Sequence, residues 1–285
     1  MISDLRQIET LYNDMIKSDE YMLLEFNDSK MLIKIPDEGE FKFTLFHGTS
    51  RYMLDKFSKN GIIEFSKESK MDYQYALNIL KCLNEISNKF EYNINPVTQL
   101  AIKNIDDRDR IDYTYKYMCL TTNIGNAQNY AEKCNKVGEL NCAILNLYED
   151  IRNNQGLDKI PQECIAYINE LKKAEDSEGV ILFVKNLDYN SICMNESEEK
   201  ISFKNLLKGV ITNKGYNIHY HGDNTLEVEI VPYSKTKEKC NEYLNDLKKQ
   251  LEKYRVYPLR NVEFKTEAFK NKIKILKSEE YGFLM

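Results

Sequence analysis

Apolar positions switch between two spacings along the chain, and each switch predicts an element. Leu5, Ile8, Leu11, Tyr12 and Met15 recur at helical spacing, so residues 1 to about 20 read as an amphipathic helix. From Tyr21 the period falls to two. Tyr21 to Phe26 and Lys30 to Ile35 read as strands around the turn residues Asn27, Asp28 and Ser29. Pro36 to Gly39 is a turn, and the apolar pair Leu45 and Phe46 then runs as a strand into His47-Gly48-Thr49-Ser50. Met53, Leu54 and Phe57 return to helical spacing and stop at Asn60-Gly61. A broad stripe (Tyr75, Leu77, Ile79, Leu80, Leu83, Ile86) predicts a long helix over 65–94, broken by Asn95-Pro96 and resumed from Val97 to Ile105.

Tyr113 to Thr122 is rich in β-formers and reads as a strand, with Asn123 capping a helix through Ala127, Tyr130 and Ala131. Residues 139–175 read as one or two helices, interrupted near Asn153 to Gly156 and at Pro161. Gly179 to Val184 is a continuous apolar run, the mark of a strand buried on both faces. Ile201 to Ile211 is short and mixed. Asn217 to Tyr220 and Thr225 to Val231 predict a hairpin around His221 to Asn224, and Thr236 to Tyr254 a helix before a strand–helix tail.

Composition narrows the class. With 42% hydrophobic and 30% charged residues in 285, the chain can build one real core. No run approaches 18 apolar residues, so no membrane span is expected. The opening MISDLRQIETLYNDM has early acids and no apolar core, so it does not read as a signal peptide. Seven scattered cysteines, an odd number with no C-x-x-C, predict reduced thiols and a cytoplasmic setting. A net charge of −5 argues against a non-specific coat on nucleic acid. Residues 235–285 nevertheless carry thirteen Lys and Arg against eight Asp and Glu, a basic extension able to meet an acidic target.

Candidate chemistry starts at the histidines, of which there are three. In His47-Gly48-Thr49-Ser50 the glycine admits close approach of a main chain, and the imidazole and hydroxyls supply donors and acceptors. The alternative is a satisfied turn histidine followed by a helix-capping Thr or Ser. His219 and His221 lack a third ligand at suitable spacing and read as a surface hairpin. In TLEVEIV, Glu227 and Glu229 point one way and Leu226, Val228 and Ile230 the other. The glutamate face either meets solvent or lines a cleft.

Strand, His-Gly-Thr-Ser, short helix and Asn-Gly-Ile exit (44–63) resemble the first motif of the ADP-ribosyltransferase superfamily. YMCLTTNIGNAQNYAEKC (117–134) resembles the second, in which an Ala-x-x-Tyr-Ala helix face covers nicotinamide. Cys119 stands where the poly(ADP-ribose) polymerase type has a tyrosine, whereas Thr121 and Thr122 are similar to the Ser-Thr-Ser of the arginine-modifying branch. Glu227-x-Glu229 before an apolar run resembles the third motif.

The resemblance implies an α+β fold: a single domain over 1–285 of two small, mostly antiparallel sheets forming an NAD cleft. Its core motifs would lie at 41–63, 113–134 and 179–231, with a helical insertion at 65–112. It implies cleavage of the nicotinamide–ribose bond of NAD and transfer of ADP-ribose to a macromolecular acceptor. Protein is the first candidate acceptor; DNA or RNA is the alternative, and a catalytically inactive nucleotide- or partner-binding domain is a second. NAD is the substrate and no metal is required. A toxin, effector or antiviral role, with an antitoxin or other regulatory partner, fits such chemistry. By resemblance His47 bonds a ribose hydroxyl, Gly48 reads the carboxamide, Thr49 and Ser50 support the turn or a phosphate, and Thr121 and Thr122 belong to the cofactor site. Tyr130 stacks on the pyridinium. Glu229, with Glu227 as helper, stabilises the cationic ribose. These roles require His47 and Glu229 to meet across one cleft.

Overall fold

The computed structural model describes residues 10, 13–15, 17–26, 29–59, 62–63, 67–106, 118–132, 136–192, 194–195, 199–220 and 226–256. Most of the predicted N-terminal helix, the Asn60-Gly61 stop, residues 113–117 of the second motif, the 221–225 turn and the tail beyond 256 lie outside them.

Period-two alternation forms β1 (Tyr21–Phe26) and β2 (Ser29–Lys34), an antiparallel pair with Tyr21 opposite Lys34. It buries Met22, Leu24, Met31 and Ile33. β3 (Phe43–Ser50) leads straight into α1 (Arg51–Phe57), followed by the two-residue strands β4 (Ser58–Lys59) and β5 (Ile62–Ile63). The next helices are α2 (Lys67–Lys89) and α3 (Pro96–Asp106). β6 (Met118–Thr121) precedes α4 (Ile124–Tyr130), then α5 (Glu139–Asn153) and α6 (Gln162–Asp176). β7 (Gly179–Leu187), α7 (Tyr189–Ile192), β8 (Met194–Asn195), α8 (Phe203–Thr212), β9 (Asn217–Tyr220), β10 (Glu227–Pro232) and α9 (Thr236–Glu252) complete the order.

The fold is α+β with antiparallel sheets. Six strands form one sheet in the order β10-β7-β3-β6-β9-β8, each neighbour antiparallel. β7 is ladder-bonded on both edges and Val180 to Val184 are at most 1% exposed, which is why that stretch is continuously apolar. One face of the sheet carries Leu45, Leu182, Val184 and Leu120, and shares a core with the β1–β2 hairpin, α8 (Leu206, Leu207, Val210) and Leu247 and Leu251 of α9. The other face carries Phe46, Ile181, Phe183 and Val231, covered by Ile124 and Ala127 of α4 and by Tyr243 of α9. Phe46, Phe183 and Tyr243 meet edge to face, with centroids 5.0, 5.2 and 6.3 Å apart. A separate helical layer (α2, α3, α5, α6) packs around Leu80, Leu83, Ile144, Leu147, Ile151 and Ile168.

Three expectations need correction. The strand does not stop at His47 but continues through Ser50, because β7 supplies ladder partners as far as Gly179. β9 and β10 are not a hairpin: β9 pairs with β6 and β8, and β10 pairs with β7 at the far edge. Nearness in sequence favoured the hairpin, but an apolar strand buried on both faces required a second neighbour. The mixed stretch 201–211 is helix α8, capped by Ser202 on the Asn205 N–H and closed by Asn213 at φ 51°. Those two end signals were present in the chain.

Candidate functional site

β3 and β6 bring the first two motifs together. Phe46 stands opposite Thr121, and the His47 Nδ1 lies 2.8 Å from the carbonyl oxygen of Cys119. A carbonyl only accepts, so Nδ1 holds the proton and Nε2 keeps its lone pair. Burial pushes the His47 pKa below its ordinary value, outweighing the hydrogen bond to Cys119, which raises it. The imidazole is therefore neutral near pH 7, with Nε2 able to accept from a hydroxyl.

Its neighbours on β3 have structural tasks. Ser50 is fully buried, and its Oγ accepts from the Met53 N–H (3.2 Å), starting α1. Thr49 Oγ1 donates to the Lys136 carbonyl at 3.5 Å. Gly48 is where α4 sits on the sheet: a Cβ there would lie 1.8 Å from the carbonyl oxygen of Ala127. Gly179 plays the same part on β7, with Ala131 O at 2.0 Å from a built Cβ. The two glycines let a helix rest directly on strand backbone.

The second motif is held from the α8–β9 connection. Asn123 caps α4 on the Asn126 N–H and donates Nδ2 to the Asn213 carbonyl, and Asn213 Oδ1 accepts from the Ile124 N–H at 3.1 Å. Thr121 Oγ1 accepts from the Asn123 N–H (3.1 Å). Thr122 Oγ1 donates to the Lys214 carbonyl and accepts from the Tyr216 N–H at 2.9 Å. Tyr130 is 40% exposed at the end of α4, its hydroxyl 3.5 Å from Glu139 Oε1.

The glutamates lie elsewhere. Glu229 is opposite Phe183, which is opposite Phe46; Ile230 is opposite Leu182, which is opposite His47. Side chains directly opposite share a face and successive ones alternate. Glu229 and Glu227 therefore project from the Phe46 face and His47 from the other, with β7 between β10 and β3. Two strand spacings, about 10 Å, and the sheet itself separate them. The expected meeting of His47 and Glu229 across one cleft is thus not what the fold provides: each register step that aligns β10 with β7 turns the glutamates away from the histidine.

Glu229 lies instead under α9, between Lys185 Nζ at 2.5 Å and Lys239 Nζ at 2.6 Å. Burial works against its charge, but these two ammonium groups outweigh that and hold its pKa below the usual carboxylate range. Glu227 receives a hydrogen bond from Asn186. A groove of about 200 Å³ runs past Glu229 between the sheet and α9, lined also by Thr44, Phe183, Tyr243 and Asp246. Its charges are already paired.

No family model, no curated protein and no solved structure matches this chain.

His219, expected on a surface hairpin, is 5% exposed on the interior strand β9, directly opposite Cys119. Among the described residues no three His, Cys, Asp or Glu side chains are gathered so as to hold a metal, and no helix is long and apolar enough to cross a membrane.

Proposed function

We propose that the chain holds NAD at the seam between β3 and β6, in the manner of the ADP-ribosyltransferases it resembles, and passes ADP-ribose to a macromolecular acceptor, protein first. One observation carries the reading. Residues 72 positions apart, from two motifs of the resemblance, meet in the His47–Cys119 hydrogen bond, which leaves Nε2 as an acceptor for a ribose hydroxyl. Glu229, expected from the sequence as the catalytic glutamate, and Glu227, expected as its helper, are not part of this seam, so neither is given the transfer step. The placement of Glu229 between two lysines on the other face favours a second reading, a nucleotide-binding domain of the same kind without transfer.

Calorimetric titration with NAD, and incubation of the chain with labelled NAD and cell lysate, separate the two. His47→Ala weakens NAD by about tenfold, the worth of one hydrogen bond. Label that protease removes marks a protein acceptor, and label that nuclease removes marks DNA or RNA. Binding without label leaves the second reading, and absence of binding ends both.

A further inference from the structure

We propose that the groove between the sheet and α9 binds a small zwitterion, a free α-amino acid with an apolar side chain. At about 200 Å³ the groove is smaller than the ~300–1,000 Å³ of pockets that take cofactors, so its occupant is small. Its floor is apolar: Phe41, Phe183, Val210 and Leu247 line it and are buried. Its charges balance, with Lys42, Lys185 and Lys239 against Glu229, Glu242 and Asp246. A lone anion or cation would upset that balance and leave a charge uncompensated, whereas a molecule with one charge of each sign preserves it.

Two features place the charged head. Lys185 Nζ and Glu229 Oε2 lie 2.5 Å apart, with side chains 36% and 32% exposed, so a solute reaches both. Opposite charges in contact match an ammonium and a carboxylate carried on one carbon, laid head to tail against them. Each Glu229 oxygen faces one ammonium and accepts more than one hydrogen bond, so the ligand's ammonium adds without breaking either pair. The second feature is Tyr243, which lines the same groove. Its hydroxyl oxygen is buried and, among the described residues, has no hydrogen-bond partner. Burial raises its pKa, so the hydroxyl keeps its proton and can donate. A buried hydroxyl left unpaired costs the fold free energy, and a ligand carboxylate that accepts from it removes that cost. The groove lies on the Glu229 face, away from His47, so the inference does not depend on what the seam binds.

The test is calorimetric titration of the full chain with L-leucine, L-methionine and L-phenylalanine. Two analogues accompany them: leucinamide, which lacks the carboxylate, and isocaproate, which lacks the ammonium. At least one of the amino acids is expected to bind, and L-leucine to bind about tenfold or more tightly than either analogue if it is the one that fits. Tyr243→Phe is expected to weaken the bound amino acid about tenfold, the worth of one hydrogen bond to a charged group. The same variant without ligand should melt no lower than wild type, because its hydroxyl has no partner to lose. Lys185→Gln should weaken binding by a similar factor. Absence of binding by all three amino acids overturns the proposal. So does a zwitterion that binds no better than its analogues, or a Tyr243→Phe that binds as wild type does. A Tyr243→Phe that melts lower without ligand would show the hydroxyl holding the fold, and overturns it too.

Discussion

Replacing Gly48 with alanine tests the seat of α4, and its size follows from the geometry. The added methyl carbon would lie 1.8 Å from the Ala127 carbonyl oxygen, 2.8 Å from its carbon and 3.0 Å from the Ala131 nitrogen. Ordinary contacts begin at about 3.5 Å, so α4 has to retreat by roughly 1.5 Å or more. The obstruction is helix backbone, which cannot rotate aside as a side chain can. Retreat also pulls on the Asn123–Asn213 hydrogen bonds and on the contact between Gly179 and Ala131. Overpacking of this kind costs about 1–3 kcal/mol, and the rigidity of the neighbour places Gly48→Ala near the upper end. At roughly 2 °C per kcal/mol for a chain of this size, the melting temperature should fall by about 6 °C. Gly39→Ala is the control, because nothing lies within 4 Å of its built Cβ; it should stay within about 0.5 kcal/mol of wild type. Urea unfolding followed by circular dichroism reads both. If Gly48→Ala unfolds at the same urea concentration as Gly39→Ala, the packing argument fails. A stable Gly48→Ala that has lost NAD would instead assign the glycine to ligand contact.

Acid titration distinguishes Glu229 from His47. The Glu229 pKa is depressed in the fold, so its contribution is present above the ordinary carboxylate value and lost as pH falls through the lowered one. Glu229→Gln should flatten the acid limb of stability against pH, costing about 0.2–1 kcal/mol at neutral pH; an unchanged limb would show that the lysines do not stabilise the carboxylate. His47 is a base whose pKa is lowered by burial, so the unfolded chain binds its proton first. Stability should decline as pH drops below the ordinary histidine value of 6.5, and His47→Gln should remove that slope. A nuclear magnetic resonance titration placing His47 at or above its ordinary value would contradict the burial argument.

Much of the local order was readable from the chain. The β1–β2 pair, the long helix before Pro96, the Asn123 cap, the Pro161 break and the apolar strand β7 all follow from period, capping and turn residues. Those signals act between residues a few positions apart, so the chain carries them without help. The alternation of Glu227 and Glu229 against Val228 and Ile230 was readable in the same way.

Which strand lies beside which was not. The alternating pattern in β10 is satisfied by any partner with a matching apolar face, and its use at the edge of β7 depends on how β7 is buried. A single register, Glu229 to Phe183 to Phe46, then decided that the glutamates and His47 occupy opposite faces. The close approach of α4 to Gly48, the capture of His47 by the Cys119 carbonyl, and the pairing of Cys119 with His219 share that origin. Side-chain period marks two faces on a strand but does not say which neighbour completes either one; only packing the whole sheet does.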